Sequence, residues 1–204
     1  EAGADVKTTA FMGVTDANGG RGVGWIQPTS YFFNTLWSKG SDQDIRNSKF
    51  NIIRDLQIDN PASPAFGQWM VKDGYYKQVD SIRQWFPLIT KFSRVGNFPE
   101  ELYQVDATGN PLMTPFGEHL LINSANSNYK DEYMFRLAET YLLRAEAYIR
   151  KGDLANAAAD INTIRARANA NPIQPSDVDI DFLLDERMRE LYGEELRMLT
   201  LCRM

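Results

Sequence analysis

The stretch that decides the fold is RLAETYLLRAEAYIRKGDLANAAADINTIRARA, residues 136–168. Just before and along it, Met134, Leu137, Ala138, Tyr141, Ala145, Tyr148 and Ile149 recur at i, i+3, i+4 spacing, which predicts a helix burying one face. Glu146 and Arg150 fall off that stripe as an i,i+4 pair. Gly152 stands where a left-handed residue ends a helix, and Asp153 where a carboxylate caps the next one. Leu154, Ala157, Ala158, Ile161 and Ile164 supply a second stripe, and its alanines let the two helices approach closely. The prolines of NANPIQP (169–175) stop that helix. A third helix is predicted from Phe182, Leu183, Met188, Leu191, Tyr192, Leu196 and Leu199. On it, Arg187, Arg189 and Arg197 are expected to pair with Glu186, Glu190 and Glu194 across an exposed face. Cys202, near the apolar stripe, is expected to be a buried thiol. Helix, Gly-Asp turn and helix with alanines at the close contact is the tetratricopeptide pattern.

Working outward, residues 1–130 differ in kind from 131–204. They hold most of the Gly, Pro and Trp, in stretches such as DNPASPAFGQW (59–69) and DATGNPLMTPFGEH (106–119). PTSYFFNTLW (28–37) fits a short helix capped by Thr29 or Ser30, with Phe33, Leu36 and Trp37 at helical spacing. KFNIIRDLQI (49–58) and DSIRQWFPLI (80–89) are short apolar runs that fit either helix or the strands of a small hairpin or sheet. Trp25, Trp37 and Trp85 read as core. The expected fold is mainly α: a tetratricopeptide-like hairpin scaffold at 131–204, plus a loop-rich aromatic segment at 1–130, together forming part of one domain.

Composition narrows the chemistry. The chain has 204 residues, 27 acids against 22 bases and a net charge of −5. That balance argues against nucleic acid, whose phosphates are held by clustered Lys and Arg. One cysteine and one histidine, Cys202 and His119, leave no disulfide framework, no cysteine or histidine metal site and no histidine-based triad. No catalytic residue, metal or cofactor is expected. ANGGRGVG (17–24) lacks the strand and helix that would make it a phosphate cradle, and reads as a turn. His119 reads as a surface or loop histidine. Acid pairs such as Glu100–Glu101, Asp131–Glu132 and Glu194–Glu195 are neighbours in sequence rather than carboxylates facing each other across a cleft. No run approaches the roughly 18 apolar residues of a membrane-spanning helix. The ends carry no initiator Met, no leader and no capping residues, which reads as an internal piece of a longer protein.

The helical motifs also carry a more specific likeness. Arg136 to Glu139, Ala145 to Ala147, Gly152, Asp153, Asn162, Arg165 and Arg167, followed by Glu186, Arg187, Glu190, Leu191, Glu194, Arg197, Leu201 and Arg203, resemble the two hallmark helical motifs of the SusD/RagB family. Gly193, Glu195 and Thr200 depart from the second motif. GWIQPTSYFFNTLW (24–37) and DIRNS (44–48) resemble the family's middle segment. The resemblance implies a non-enzymatic lipoprotein on the outer face of the outer membrane of Bacteroidetes. It further implies capture of oligosaccharides for a SusC-like TonB-dependent transporter. The lipid anchor would lie on a part of the protein outside this chain, and the tetratricopeptide helices would serve as framework and docking face.

Sugar binding without catalysis uses flat apolar rings for the C–H faces of a pyranose and planar polar groups for its hydroxyls. FGQWMVKDGYYKQVDSIRQW (66–85) holds both within 20 residues. Trp69, Tyr75 and Tyr76 are the candidate platform, with Gln68, Lys72 and Asp73 as polar partners; the competing reading is that these rings only pack the loop. Two other functions stay open: a scaffold whose tetratricopeptide groove binds a peptide or protein, and a hydrolase whose distant carboxylates converge.

Overall fold

A computed structural model describes residues 11–20, 28–78, 87–91, 98–125, 131 and 133–204. Trp25, Trp85 and the 21–24 part of the glycine-rich stretch lie outside the described residues. The chain divides into two compact units, Glu1–Gln27 with Lys49–Lys130, and Pro28–Ser48 with Asp131–Met204.

The helical unit is built on α2 (Leu137–Arg150) and α3 (Leu154–Arg167). The turn between them closes the end of α2 with backbone bonds. Gly152 adopts φ +77°, its N–H donates to the Ile149 carbonyl at 3.0 Å, and the Asp153 N–H reaches the Tyr148 carbonyl at 2.9 Å. These two bonds make a Schellman end, which needs a left-handed residue where Gly152 stands. The Asp153 carboxylate then accepts the Asn156 N–H at 3.2 Å and caps α3. Ala145, Ala157 and Ile161 are fully buried, Ala158 and Ile164 nearly so, and Tyr141 and Tyr148 pack against them half-buried. Small side chains at the crossing let the backbones approach, as the sequence predicts. The N-terminal end of the first stripe does not follow: Met134 and Leu137 are 86% and 70% exposed, because the helix begins only at Leu137 and Ala138 is the first residue of the stripe to pack against the core.

Asn169, at φ +55°, repeats the Schellman device at the end of α3. The chain then returns along the helix, held by side chains that imitate backbone. The Asn162 amide donates to the Ile173 carbonyl at 2.9 Å and accepts the Ile173 N–H at 2.8 Å. Arg165 Nε donates to the Asn171 carbonyl at 2.7 Å. Asp179 caps α4 (Ile180–Leu191) by accepting the Phe182 N–H at 2.7 Å. The single third helix expected from sequence is two helices: α4 ends at Leu191, Gly193 turns at φ +74°, and α5 spans Arg197–Arg203. A left-handed residue cannot continue a right-handed helix. Leu196 and Leu199 are consequently 72% and 65% exposed rather than core, and Cys202 is exposed too, contrary to the expected buried thiol.

Segment 28–48 belongs to this unit. A π-helical turn, Tyr31–Thr35, runs into the short α1 (Leu36–Ser38). Ser30 precedes it without a capping bond; its hydroxyl instead accepts the Asn34 amide at 3.0 Å. Leu36 and Trp37 are buried as expected, while Phe32 rather than Phe33 takes the third core place. Phe32 stacks on Tyr192 with ring centroids 4.3 Å apart.

The acidic and basic residues of α4 overturn the reading of exposed helix pairs. Glu186, Arg187, Arg189 and Glu190 are all at most 3% exposed. Arg189–Glu186, at 3.0 Å, has the expected i,i+3 spacing. Glu186 also receives Arg165 and Arg46, each at 2.8 Å. Glu190 receives Arg46 at 3.2 Å, Arg136 at 3.0 Å and Arg167 at 2.6 Å. Arg187 turns to Glu195 at 3.1 Å. Glu146 is buried as well, accepting both Arg150 and Arg203. Buried charges must be paired and hydrogen-bonded, and the pairs of Arg46, Arg136 and Arg203 join segments more than 50 residues apart in the chain.

The loop-rich unit has a two-stranded antiparallel sheet, β1 (Ile52–Ile53) and β2 (Leu88–Ile89), with Ile52 opposite Ile89 and Ile53 opposite Leu88. Both ambiguous apolar runs therefore contribute strand, though the strands are not joined by a tight hairpin. The same unit has two small cores. One is Met12, Ile58, Ala65 and Met70, and the other is Phe98, Leu121 and Ala125. Residues 102–122 close a ring of backbone bonds: Gln104 N–H to the Leu120 carbonyl, Leu120 to Leu112 and Leu112 back to Gln104, at 2.8–2.9 Å. Gly20 admits no other residue, because its φ is +85° and a Cβ there would lie 2.2 Å from the Ala125 carbonyl oxygen.

Candidate functional site

The candidate platform lies on a loop whose backbone is tied down by carboxylates. Ile58 N–H donates to the Gln68 carbonyl at 2.7 Å, and Met70 N–H to the Leu56 carbonyl at 3.0 Å, so residues 56–58 and 68–70 run as a short ladder. The turn closing it has Gly67 at φ +80°. Asp55 then accepts the N–H groups of Val71 and Lys72 at 2.8 and 3.0 Å. Asp73 accepts the Trp69 N–H at 2.7 Å. These bonds hold a surface loop in one conformation without regular secondary structure.

On this frame Trp69 is 38% exposed, and Gln68, Lys72 and Asp73 are exposed beside it in sequence. Tyr75 is half-buried: its ring packs on Phe11 at 5.6 Å and against the Met12 core, and its hydroxyl donates to Gln68 Oε1 at 2.9 Å. Tyr76 is half-buried, fixed by its N–H to the Met70 carbonyl at 2.8 Å, with Lys77 Nζ 5.9 Å from its ring centroid. Direct bonds thus join Gln68 to Tyr75 and Trp69 to Asp73. Lys72 shares the Asp55 anchor, and Tyr76 joins the group through backbone alone.

Two further features of the same unit escaped the sequence reading. Phe66 and Phe116 stack with centroids 5.4 Å apart and planes 13° from parallel, yet are 38% and 42% exposed. The signal was present as two similar turns, SPAFG (63–67) and TPFG (114–117), each placing a phenylalanine before a glycine with positive φ. The second feature is a cluster of acids. Asp16 and Asp59 are 1% and 2% exposed. Asp59 accepts the Gly13 N–H at 2.6 Å and the Asn18 amide at 3.2 Å. Asp16 accepts the His119 N–H and faces its ring Nδ1, both at 3.1 Å. Burial and the neighbouring Asp59 charge push the Glu118 carboxyl up to about 7. Burial raises Asp59 as well. Among the described residues no three His, Cys, Asp or Glu side chains converge as metal ligands, and no helix is long and apolar enough to cross a membrane.

Comparison with known proteins bears on the whole chain. A 70-residue stretch is 46% identical to the starch-binding protein SusD of Bacteroides thetaiotaomicron, covering 34% of this chain and 12% of that protein. The aligned stretch therefore spans only a small part of that relative's length. No solved structure matches. The SusD family model matches residues 5–204, a span that takes in both units and every motif described above, and the chain belongs to the SusD family.

Proposed function

We propose that this chain is part of a cell-surface glycan-binding protein that captures oligosaccharides without cleaving them and passes them to a SusC-like TonB-dependent transporter. The observation that carries the reading is the family match over residues 5–204. The starch-binding activity in the name of the relative makes α-glucans the first ligands to try. Attachment to the outer face of the outer membrane through a lipid anchor belongs to the same proposal.

Within it, the loop-rich unit carries the ligand and the helical unit serves as framework. Trp69 is the stacking surface, supported by its exposure and by the bonds that fix its backbone. Gln68, Lys72 and Asp73 supply hydrogen bonds to hydroxyls, with Tyr75 and Tyr76 flanking. Pyranose rings have one C–H-rich face, and an exposed indole with polar neighbours suits it. Isothermal calorimetry against linear α-glucans and other plant, host and microbial oligosaccharides tests the proposal. Binding of one class, without release of reducing sugar, is the expected result. No heat with any glycan, or reducing sugar released by the chain, would overturn it.

A second reading is favoured by a different observation. Tyr133, Met134, Phe135 and Leu137 are each at least 70% exposed in the helical unit, and exposed apolar clusters mark interaction surfaces. In this reading the helices bind a protein or peptide and the loop aromatics are dispensable. Substituting Met134 and Phe135 by serine would then abolish partner binding, while Trp69→Ala would leave it intact.

A further inference from the structure

We propose that the stacked rings of Phe66 and Phe116 form a second stacking surface for the glycan, in addition to Trp69, and that this surface adds affinity for long chains only. The inference rests on the glycan reading of the loop-rich unit and extends it: the ligand is an oligosaccharide of several sugars, held at two aromatic places.

One stretch of chain carries a ring of each surface. In residues 63–70, Ser63, Ala65 and Met70 are buried, and Ala65 and Met70 enter the Met12 core. Phe66 and Trp69 stay outside that core, each 38% exposed. Three residues of extended chain span at most about 11 Å, so one oligosaccharide can reach both. Phe116 meets Phe66 from another turn, with centroids 5.4 Å apart and planes 13° from parallel, and is itself 42% exposed. A parallel stack covers one face of each ring and leaves the other face outside the pair.

As packing, the pair is incomplete. Among the described residues neither ring joins either of the unit's two cores, and each leaves more than a third of its surface in water. The turns that present the rings are held by their own bonds. The Phe66 N–H donates to the Ser63 carbonyl at 3.1 Å, and the Gly67 N–H to the Ile58 carbonyl at 2.9 Å. The Phe116 N–H donates to the Thr114 hydroxyl oxygen at 3.3 Å, and the Gly117 N–H to the Thr114 carbonyl at 2.9 Å. Gly67 and Gly117 both turn at left-handed φ, +80° and +83°. Rings fixed in this way lose little freedom when a ligand lands on them. A phenyl face offers apolar contact and no directed hydrogen bond, so it accepts any pyranose with a C–H-rich face. It lengthens the site without choosing the sugar, and the choice is left to the polar groups around Trp69.

The test is calorimetric titration of the 204-residue chain with maltose and with maltoheptaose or, where the glycan screen selects another class, with its disaccharide and its longest soluble oligomer. Wild type is compared with Phe116→Leu, which keeps an apolar side chain in the stack but removes the flat face, and with Phe116→Tyr, which keeps the face. We expect Phe116→Leu to leave disaccharide affinity unchanged and to weaken the long chain about two- to tenfold, the worth of one aromatic contact, with Phe116→Tyr recovering the loss. A pair that merely staples two loops would lower Tm in Phe116→Leu and leave the ratio of long-chain to short-chain affinity as in wild type. That unchanged ratio would overturn the second surface while the glycan reading stands. An equal loss at both lengths would overturn it too, since the phenyl would then belong to the Trp69 contact. Wild type that binds no glycan in the screen would overturn the glycan reading and this surface with it. Should Phe116→Leu fail to fold, NMR of the wild type decides: the ring protons of Phe66 and Phe116 must shift with the long chain and not with the disaccharide, and rings that respond to neither would overturn the proposal.

Discussion

Arg46 and Glu186 lie 140 positions apart in the chain, yet their side chains meet at 2.8 Å, with 10% and 0% of each exposed. Arg46 comes from the segment before β1 and Glu186 from α4, so this contact ties the 28–48 excursion to the helices. Glu186 also neutralises Arg165 and Arg189. Removing its charge takes the carboxylate from buried Arg165 and Arg189, while Arg46 keeps Asp44 and Glu190. We expect Glu186→Gln to cost roughly 3–5 kcal/mol, the range for breaking a buried ion pair from one side. Urea unfolding followed by circular dichroism measures it; a loss within the range of an exposed helix pair, below about 0.5 kcal/mol, would show that the network is solvated.

The alanine seam makes a second claim. Ile161 is fully buried among Ala145, Ala157 and Leu142. Ile161→Ala should cost about 2–5 kcal/mol through lost burial and the cavity left behind. Enlarging the seam should harm as well: Ala157→Leu should cost about 1–3 kcal/mol or more by forcing the helices apart. Thermal melts of the two variants check both signs, and tolerance of leucine would mean the helices do not touch there.

Gly152→Ala isolates backbone from packing. No atom lies within 4 Å of a Cβ built there, so no clash arises, but φ is +77°. The expected cost is roughly 1–2 kcal/mol, from the left-handed conformation alone. Gly152→Asn should cost less, since Asn visits that region more readily. Equal losses for Ala and Asn would point to something other than φ.

These positions also show what the sequence made legible. The hairpin from 137 to 167 was readable because its period, glycine and capping aspartate are all local. The burial of Glu186, Arg187, Arg189 and Glu190 was not. Alternating Glu and Arg at helical spacing look alike on a solvated face and in a charged core, and here segments 28–48 and 131–136 decide. The break at Gly193 was hidden because the apolar pattern runs on through Leu196 and Leu199, with a left-handed glycine between. In the loop-rich unit, Trp69 and its neighbours could be picked by residue type. The stack of Phe66 on Phe116, and the contact of Asp16 with His119, join loops 50 and 103 residues apart and leave no periodic trace.

Glu118 gives a pH dependence whose sign is fixed. Its carboxyl in the folded chain is raised to about 7, and that of Asp59 is raised too. The folded chain therefore binds more protons than the unfolded chain between the ordinary carboxylate range and neutrality. The stability this contributes is present at acid pH and is lost as pH rises through about 7. Unfolding free energies of wild type and Glu118→Gln, taken from about pH 5 to about pH 8, should diverge in slope, with the wild type losing more stability between about pH 5 and about pH 7 and levelling off above. Parallel slopes would remove Glu118 from the account.

Under the proposed function an exposed indole on a pinned loop, Trp69, holds the sugar. Its most direct test is calorimetric titration of the chain with the glycan class it binds, comparing wild type with Trp69→Ala and Trp69→Phe. The account expects Trp69→Ala to weaken affinity by at least about tenfold, the effect of truncating an aromatic hot spot, with Trp69→Phe recovering part of it. Undiminished affinity in a folded Trp69→Ala chain would contradict the account.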